Sequence, residues 1–169
     1  MNKKRIFFAL WPDNRQRERL RDLLGPSIKE IEGRAIDRRD WHVTLAFVGD
    51  LDVGFIPGLI EKAREITFEP FRLRLDRVEY WPRPKIATVV PPRVPADMED
   101  LVSRLNSLMM DVGVVPADRV YRPHITVVRN ARAFTTERLT QRVTTEWAGF
   151  ELVESVSGPG GVSYAPLKQ

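Results

Sequence analysis

The chain has 169 residues, a net charge of +4 and no cysteine. Its length fits one domain, and a composition of 43% hydrophobic and 30% charged residues excludes a disordered chain. The absence of cysteine excludes disulfides and thiolate metal sites. The small excess of basic residues is typical of proteins that bind phosphate groups, but a charge that only keeps the protein soluble would explain it equally well.

The N-terminus begins with basic residues followed by an apolar run, as a signal peptide does. However, the run over residues 6–11 is short and ends at Pro12-Asp13 without a small-residue cleavage site. No stretch approaches the roughly 20 apolar residues that span a membrane. We therefore expect a cytoplasmic protein that does not contact membranes.

The first half of the chain predicts alternating strands and helices. A strand is expected over residues 5–10, then a helix over 14–24 that opens with a capping box from Asp13 to Gln16. Gly25-Pro26 should interrupt this helix, with a further turn over 28–31. A strand over 41–48, a helix over 56–66 and strands over 71–78 and 86–90 follow.

The second half repeats a similar order of elements. Helices are predicted over residues 96–112 and 136–144, and strands over 124–128, 150–156 and 162–165. The elements do not alternate as strictly as in a parallel doubly wound sheet, so the pattern predicts an α+β fold. No linker is long enough to separate independent domains, and we expect residues 1–169 to form one.

Two histidines are the most informative residues, because the chain contains no others. His42 stands in the segment WHVTLAF and His124 in PHITVVR, each followed two positions later by a threonine. Side chains at i and i+2 of a strand point to the same face. Each strand should therefore present an imidazole beside a hydroxyl, Thr44 in the first and Thr126 in the second. Trp41, Val43, Leu45 and Phe47 should face the core behind the first pair.

Two such histidine–threonine pairs are suited to phosphoryl transfer if they face one another across a cleft. Imidazole titrates near pH 6.5, so one copy can accept a proton from water while the other gives one to the leaving oxygen. The threonine hydroxyls can donate hydrogen bonds to the non-bridging oxygens. A cyclic phosphodiester, with a ribose oxygen as its leaving group, needs no metal for this reaction.

The two H-x-T-aliphatic motifs resemble those of the two-histidine (2H) phosphoesterase superfamily. The opening RIFFALWP, the motif WHVTLAFVGD, the motif YRPHITVVR with Arg129, and the ending FELVESVSGPGGVSYAPL are similar to its RNA 2′,3′-cyclic phosphodiesterase branch of the LigT/ThpR type. The resemblance spans nearly the whole chain. The chain departs from the family pattern at Val53-Gly54 and around Trp81-Pro82 and Pro84, which leaves substrate preference open.

The resemblance implies a bilobal α+β fold in which two pseudo-symmetric, mainly antiparallel sheets carry helices outside and a cleft between them. It implies hydrolysis of RNA 2′,3′-cyclic phosphate ends, or of cyclic nucleotides, to 2′-phosphates, together with the reverse 2′–5′ ligation. By position, His42 corresponds to the proton donor and His124 to the proton acceptor, whereas the symmetry of the motifs permits either assignment. No cofactor or metal is implied, and we expect a monomer.

Several alternatives stay open at the level of sequence. Two histidines and a carboxylate such as Asp50 could bind zinc, although no third-ligand spacing supports this. Arg129 could hold phosphate, yet strict alternation puts it on the face opposite His124 unless the strand bulges. Tyr121 and Arg122 could line the cleft or cap a loop, and Trp11 and Trp81 could stack a base or pack at the rim. A non-catalytic RNA-end-binding module is the alternative function.

Overall fold

The computed structural model describes residues 2–167, and this part of the chain contains two antiparallel sheets and three α-helices. The first sheet has the order β3-β1-β8-β9 and the second has the order β2-β6-β5-β4-β7. The strands of the first sheet are β1 (Lys3–Leu10), β3 (Val43–Asp52), β8 (Glu151–Gly158) and β9 (Gly161–Pro166). The strands of the second are β2 (Arg34–Ala35), β4 (Phe71–Trp81), β5 (Ile86–Val90), β6 (Ile125–Arg129) and β7 (Glu137–Trp147). These sheets confirm the predicted α+β class.

The helices are α1 (Asn14–Ile28), α2 (Ile56–Arg64) and α3 (Ala96–Asp111). Helix α1 packs against β7, α3 packs against β3, and α2 packs against α3. One hydrophobic cluster includes buried side chains of both sheets and all three helices, among them Phe8, Leu24, Leu59, Leu73, Leu105 and Ile125. Within residues 2–167, no helix combines the length and the apolar character needed to cross a membrane.

Helix α1 begins where the sequence predicts but ends later. The Asp13 carboxylate accepts a hydrogen bond from the Gln16 amide, and the Gln16 side chain accepts one from the Asp13 amide, which confirms the capping box. The expected interruption at Gly25-Pro26 is wrong, because the helix continues through both residues to Ile28. Pro26 cannot donate an amide hydrogen bond to the preceding turn, and the helix ends two residues after it.

The predicted helix over residues 136–144 is wrong, because this segment belongs to strand β7. Leu139 and Val143 are both buried, and their spacing of four resembles a helical face. A spacing of four also places two residues on one face of a strand. The register with β4 is irregular here, because Arg77 pairs with Arg138 while Leu75 pairs with Val143. Beyond this irregularity, Val143, Thr145 and Trp147 are buried at the period of two that a strand requires.

The short strand β2 has no clear sequence signal and was not predicted. It pairs antiparallel with β6, with Arg34 opposite Arg129 and Ala35 opposite Val128. Gly33 precedes it with φ of 147°, and a Cβ there would lie 2.7 Å from Val128 Cγ1 and 2.9 Å from the Arg129 carbonyl oxygen. Only glycine fits such close approach with this backbone conformation, so β2 can reach the edge of β6.

Candidate active site

A cavity of about 400 Å³ lies between the two sheets. The first sheet contributes side chains of β1, β3, β8 and β9, and the second contributes side chains of β5 and β6. Its lining residues include His42, Thr44, His124, Thr126 and Arg129, together with Asp40, Phe7 and Tyr164. The structure therefore brings all five predicted site residues to one cleft.

Each histidine precedes its strand by one residue instead of lying within it. His42 lies between a 3-10 turn (Arg38–Asp40) and β3, and its Nδ1 is 2.7 Å from the Asp40 carbonyl oxygen. His124 lies just before β6, and its Nδ1 is 2.8 Å from the Arg122 carbonyl oxygen. A carbonyl oxygen can only accept, so Nδ1 carries the proton in both rings. In the neutral form, each Nε2 therefore has the lone pair that a proton acceptor needs.

Burial lowers the pKa of both imidazoles. The pKa of His42 falls to about 4, mainly because burial penalises its charged form, and the charges of His124 and Arg129 lower it further. Its hydrogen bond to the Asp40 carbonyl opposes this shift only in part. The pKa of His124 is also lowered, first by burial and then by the charges of Arg122 and Arg119. Both rings are thus neutral at pH 7 in the free protein.

Aromatic rings surround His42 and fix its plane. The ring of Trp11 stacks on it at a centroid distance of 5.6 Å and an interplanar angle of 24°. Phe7 and Tyr164 approach the imidazole from other sides, each with a centroid distance of 5.0 Å. This packing accounts for the desolvation of His42 and leaves its ring little freedom to rotate.

The two threonines lie beside the histidines as the alternation predicts. Thr44 and Thr126 are both partly buried and line the cleft, while Val43 and Ile125 beside them face the core. Trp41 and Leu45 are buried as predicted. The prediction that Phe47 faces the core is wrong, because its side chain is 48% exposed and lines the cleft. The register between β1 and β3 shifts between Phe8 and Ala9, so the alternation of β3 changes before Phe47.

Arg129 reaches the cleft because β6 bulges. Ala87 pairs with Val128, whereas its neighbour Thr88 pairs with Thr126, so one step along β5 corresponds to two along β6. The extra residue reverses the alternation after Thr126, and Arg129 points to the same cavity. Its guanidinium donates a hydrogen bond of 3.0 Å to the Tyr164 hydroxyl. Arg129 can therefore hold an anion between the two histidines.

Asp50 does not belong to this cleft. Its carboxylate is 3.9 Å from the Arg5 guanidinium, both side chains are largely exposed, and Asp50 is absent from the cavity lining. Within the described range 2–167, no group of three histidine, aspartate or glutamate side chains is placed to hold a metal ion. The structure thus gives the two histidines no third protein ligand in that range.

The comparison with known proteins agrees with this geometry. The family model described as LigT like Phosphoesterase matches residues 10–91, which include His42 and Thr44. The RNA 2′,3′-cyclic phosphodiesterase of Archaeoglobus fulgidus is 25% identical over 97% of this chain and 98% of that protein. The protein of the same name from Escherichia coli is 27% identical over 98% of this chain and 95% of that protein.

Solved structures extend the similarity to the whole fold. The crystal structure of E. coli LigT complexed with 3′-AMP has a TM-score of 0.86 and 26% identity, covering 99% of this chain and 97% of that one. The apo form of E. coli LigT gives a TM-score of 0.86 and 27% identity. The chain is thus similar to LigT-like phosphoesterases in sequence and in fold. The second motif lies outside the matched family region, but these structures cover it.

A network around Glu79 is one part of this candidate site that the sequence did not reveal. The Glu79 carboxylate accepts hydrogen bonds from Trp81 Nε1 at 3.1 Å, Arg77 Nε at 3.0 Å and Arg122 Nη2 at 2.9 Å. Burial opposes its ionisation, yet these donors and their charges hold the pKa of Glu79 below its usual value. Glu79 thereby holds two residues that contact His124.

Those two contacts define the surroundings of His124. The Trp81 ring lies 4.4 Å from the imidazole, measured between centroids, and the Arg122 guanidinium covers Trp81 at 4.5 Å. Arg122 also supplies the carbonyl oxygen that fixes His124 Nδ1. Trp81 is thus a packing partner of His124, and Trp11 is one of His42. No local sequence signal links Glu79 to His124, because 45 positions separate them.

Proposed function

We propose that this LigT-like phosphoesterase hydrolyses the 2′,3′-cyclic phosphate at RNA 3′ ends to a 2′-phosphate, with His42 and His124 as its acid–base pair. The observation that carries the proposal is the pair of imidazoles in one cleft, each with Nδ1 held by a main-chain carbonyl. The relatives named RNA 2′,3′-cyclic phosphodiesterase support the choice of substrate.

In the proposed reaction, His124 Nε2 removes a proton from water as its oxygen attacks phosphorus. The bond between phosphorus and the ribose O3′ breaks, and the Nε2–H of protonated His42 gives its proton to O3′. The products are a 3′-hydroxyl and a 2′-phosphate. This division of labour follows from the family resemblance, and each positioned acid or base contributes about 10²–10⁴ to the rate.

The other cleft residues act on the charge that develops at phosphorus. The hydroxyls of Thr44 and Thr126 donate hydrogen bonds to the non-bridging oxygens, and Arg129 binds the same group through its guanidinium. Binding of the phosphate anion raises the pKa of His42, which supplies the proton for the leaving oxygen. The mechanism uses no metal and no cofactor.

The same steps with a different nucleophile give ligation. When the 5′-hydroxyl of a second RNA replaces water, His124 removes its proton and the attack forms a 2′–5′ linkage. Hydrolysis dominates wherever water reaches the cleft at its full concentration. We propose that the protein acts as a monomer and as a single domain over residues 1–169, because side chains of one chain supply all five proposed site residues.

The test is incubation of an oligoribonucleotide ending in a 2′,3′-cyclic phosphate with the protein in EDTA, followed by identification of the product. We expect a 2′-phosphate, with a rate that EDTA does not change. A 3′-phosphate would contradict the assignment of the leaving oxygen, and inhibition by EDTA would contradict the metal-free mechanism. Binding of the RNA end without turnover would favour the non-catalytic module.

A further inference from the structure

A second cavity of about 570 Å³ lies beside the cleft and shares Thr44, Phe47 and His124 with it. The proposed chemistry makes no use of this space. A volume of this size is typical of a site for a small molecule or for one unit of a polymer.

The walls of the second cavity are mostly apolar. Its inner wall consists of side chains of β3 and α3, including Leu45, Val48, Val102 and Met109. Its outer wall is the segment 114–122 that leads to His124, in which Val115 is 88% exposed and Val120 is 85% exposed. Phe47, at the boundary between the cavities, is 48% exposed. Exposed apolar side chains gathered around a cavity indicate a binding surface.

The charges of this cavity are all of one sign. Arg119 and Arg122 line it, and no aspartate or glutamate is among its lining residues. Arg122 is already paired with Glu79 at 2.9 Å, so Arg119 is the main cation of this surface. An anion with a flat apolar part therefore suits it best, since cations attract the charge and an exposed aromatic ring such as Phe47 accepts a stacked base. Nucleotides combine these two properties.

The second cavity adjoins the cleft, and this position indicates which nucleotide of an RNA the second cavity would bind. A phosphate between His42 and His124 lies at the junction of both cavities, because His124 borders each of them. Under the proposed function, the terminal ribose would occupy the cleft that holds both histidines, and the RNA would continue from its 5′ side. We propose that the second cavity binds the nucleotide immediately 5′ to the cyclic-phosphate end, an inference that rests on the proposed function. The protein is then selective for oligonucleotides over mononucleotides.

A comparison of two product-like ligands tests this proposal without requiring turnover. Adenosine 2′-phosphate and the diadenosine nucleotide with the same terminal 2′-phosphate are titrated into the protein by calorimetry. Stacking of one base on an aromatic side chain contributes about 1–3 kcal/mol, so we expect the dinucleotide to bind on the order of 10-fold tighter. Arg119→Ala and Val120→Glu should remove most of this preference and change mononucleotide affinity less than about twofold.

Two exposed positions outside both cavities provide matched controls. Arg132→Ala and Val156→Glu repeat the same chemical changes away from the site and should keep the wild-type preference. Equal affinity of the wild-type protein for the two ligands, or binding of neither, would overturn the inference. Equal losses for both ligands in the Arg119 and Val120 variants would also overturn it, since the cavity would then hold the terminal nucleotide. Turnover of a cyclic mononucleotide, measured in parallel, reports on the proposed function separately.

Discussion

The phenolic hydroxyl of Tyr121 donates a hydrogen bond of 2.7 Å to the main-chain carbonyl of Thr44. Tyr121 stands three positions before His124, and Thr44 stands two positions after His42. This bond therefore joins the two histidine-bearing segments directly. Burial raises the pKa of the hydroxyl, so Tyr121 remains a neutral donor throughout the physiological range.

Removing this hydroxyl should destabilise the protein. Tyr121→Phe leaves the Thr44 carbonyl without its donor, and an unsatisfied buried acceptor costs about 1–3 kcal/mol. We expect the free energy of unfolding, measured by urea denaturation, to fall by about this amount. Tyr80→Phe is the control, because within residues 2–167 no hydrogen bond is found for the Tyr80 hydroxyl. Equal stability of the Tyr121 variant and the wild type would show that the bond does not join the segments in solution.

The sequence predicted the histidine–threonine pairs because they depend on local geometry. His42 with Thr44 and His124 with Thr126 need only the period of a strand, and that period survives between each histidine and its threonine. The α+β class followed from the order of elements in the same way. These features are properties of segments of a few residues, which a single sequence records directly.

Bulges and distant partners could not be predicted from the sequence. The positions of Phe47 and Arg129 depend on register shifts of β3 and β6, which arise from pairing with β1 and β5. The spacing of Leu139 and Val143 fits one face of a helix and one face of a strand alike, so it could not decide between them. Glu79 meets Arg122 only after the second sheet has formed. Such relations are properties of the assembled sheets.

Glu79 should position His124 without touching the substrate. Glu79→Gln removes the charge that holds Trp81 and Arg122. In metal sites, the partners that orient a functional histidine are worth about 10–100-fold, and we expect an effect at the lower end of that range here. We expect kcat for a cyclic nucleotide to fall on the order of 10-fold while KM changes little, with Glu79→Ala more severe than Glu79→Gln. Steady-state kinetics and the pH profile of kcat measure this effect.

Glu154 supplies the control for Glu79. It is also a partly buried carboxylate in an ion pair, with Lys4 at 3.2 Å, but it lines neither cavity. Glu154→Gln should leave kcat unchanged. If the two variants behave alike, Glu79 has only a general electrostatic or structural role.

The low pKa of His42 predicts that anion binding is coupled to proton uptake. With a pKa of about 4, His42 is neutral in the free protein at pH 7. A phosphate anion favours the charged imidazolium and raises its pKa, so protons move from the buffer onto the protein. Calorimetric titration of adenosine 2′-phosphate in buffers of different ionisation enthalpy should show this uptake, and His42→Ala should remove it. Uptake that persists in this variant would assign the proton to another group.

The threonine hydroxyls should contribute less than the histidines. Thr44→Ala and Thr126→Ala should each lower kcat by about 10- to 10²-fold, because each removes a donor to the charged phosphate oxygens. Thr44→Ser and Thr126→Ser keep the hydroxyl and should recover most of the rate. Serine variants as slow as the alanine variants would show that the methyl groups, and therefore packing, determine the effect.

The most direct test of two-histidine catalysis is the rate of His42→Ala, His124→Ala and the double variant on RNA ending in a 2′,3′-cyclic phosphate. Each single variant should lose at least about 10² in kcat/KM while circular dichroism shows an unchanged fold. The double variant should be about as slow as the slower single variant, because the acid and the base act in one step. A rate near that of the wild type in either single variant would contradict the mechanism.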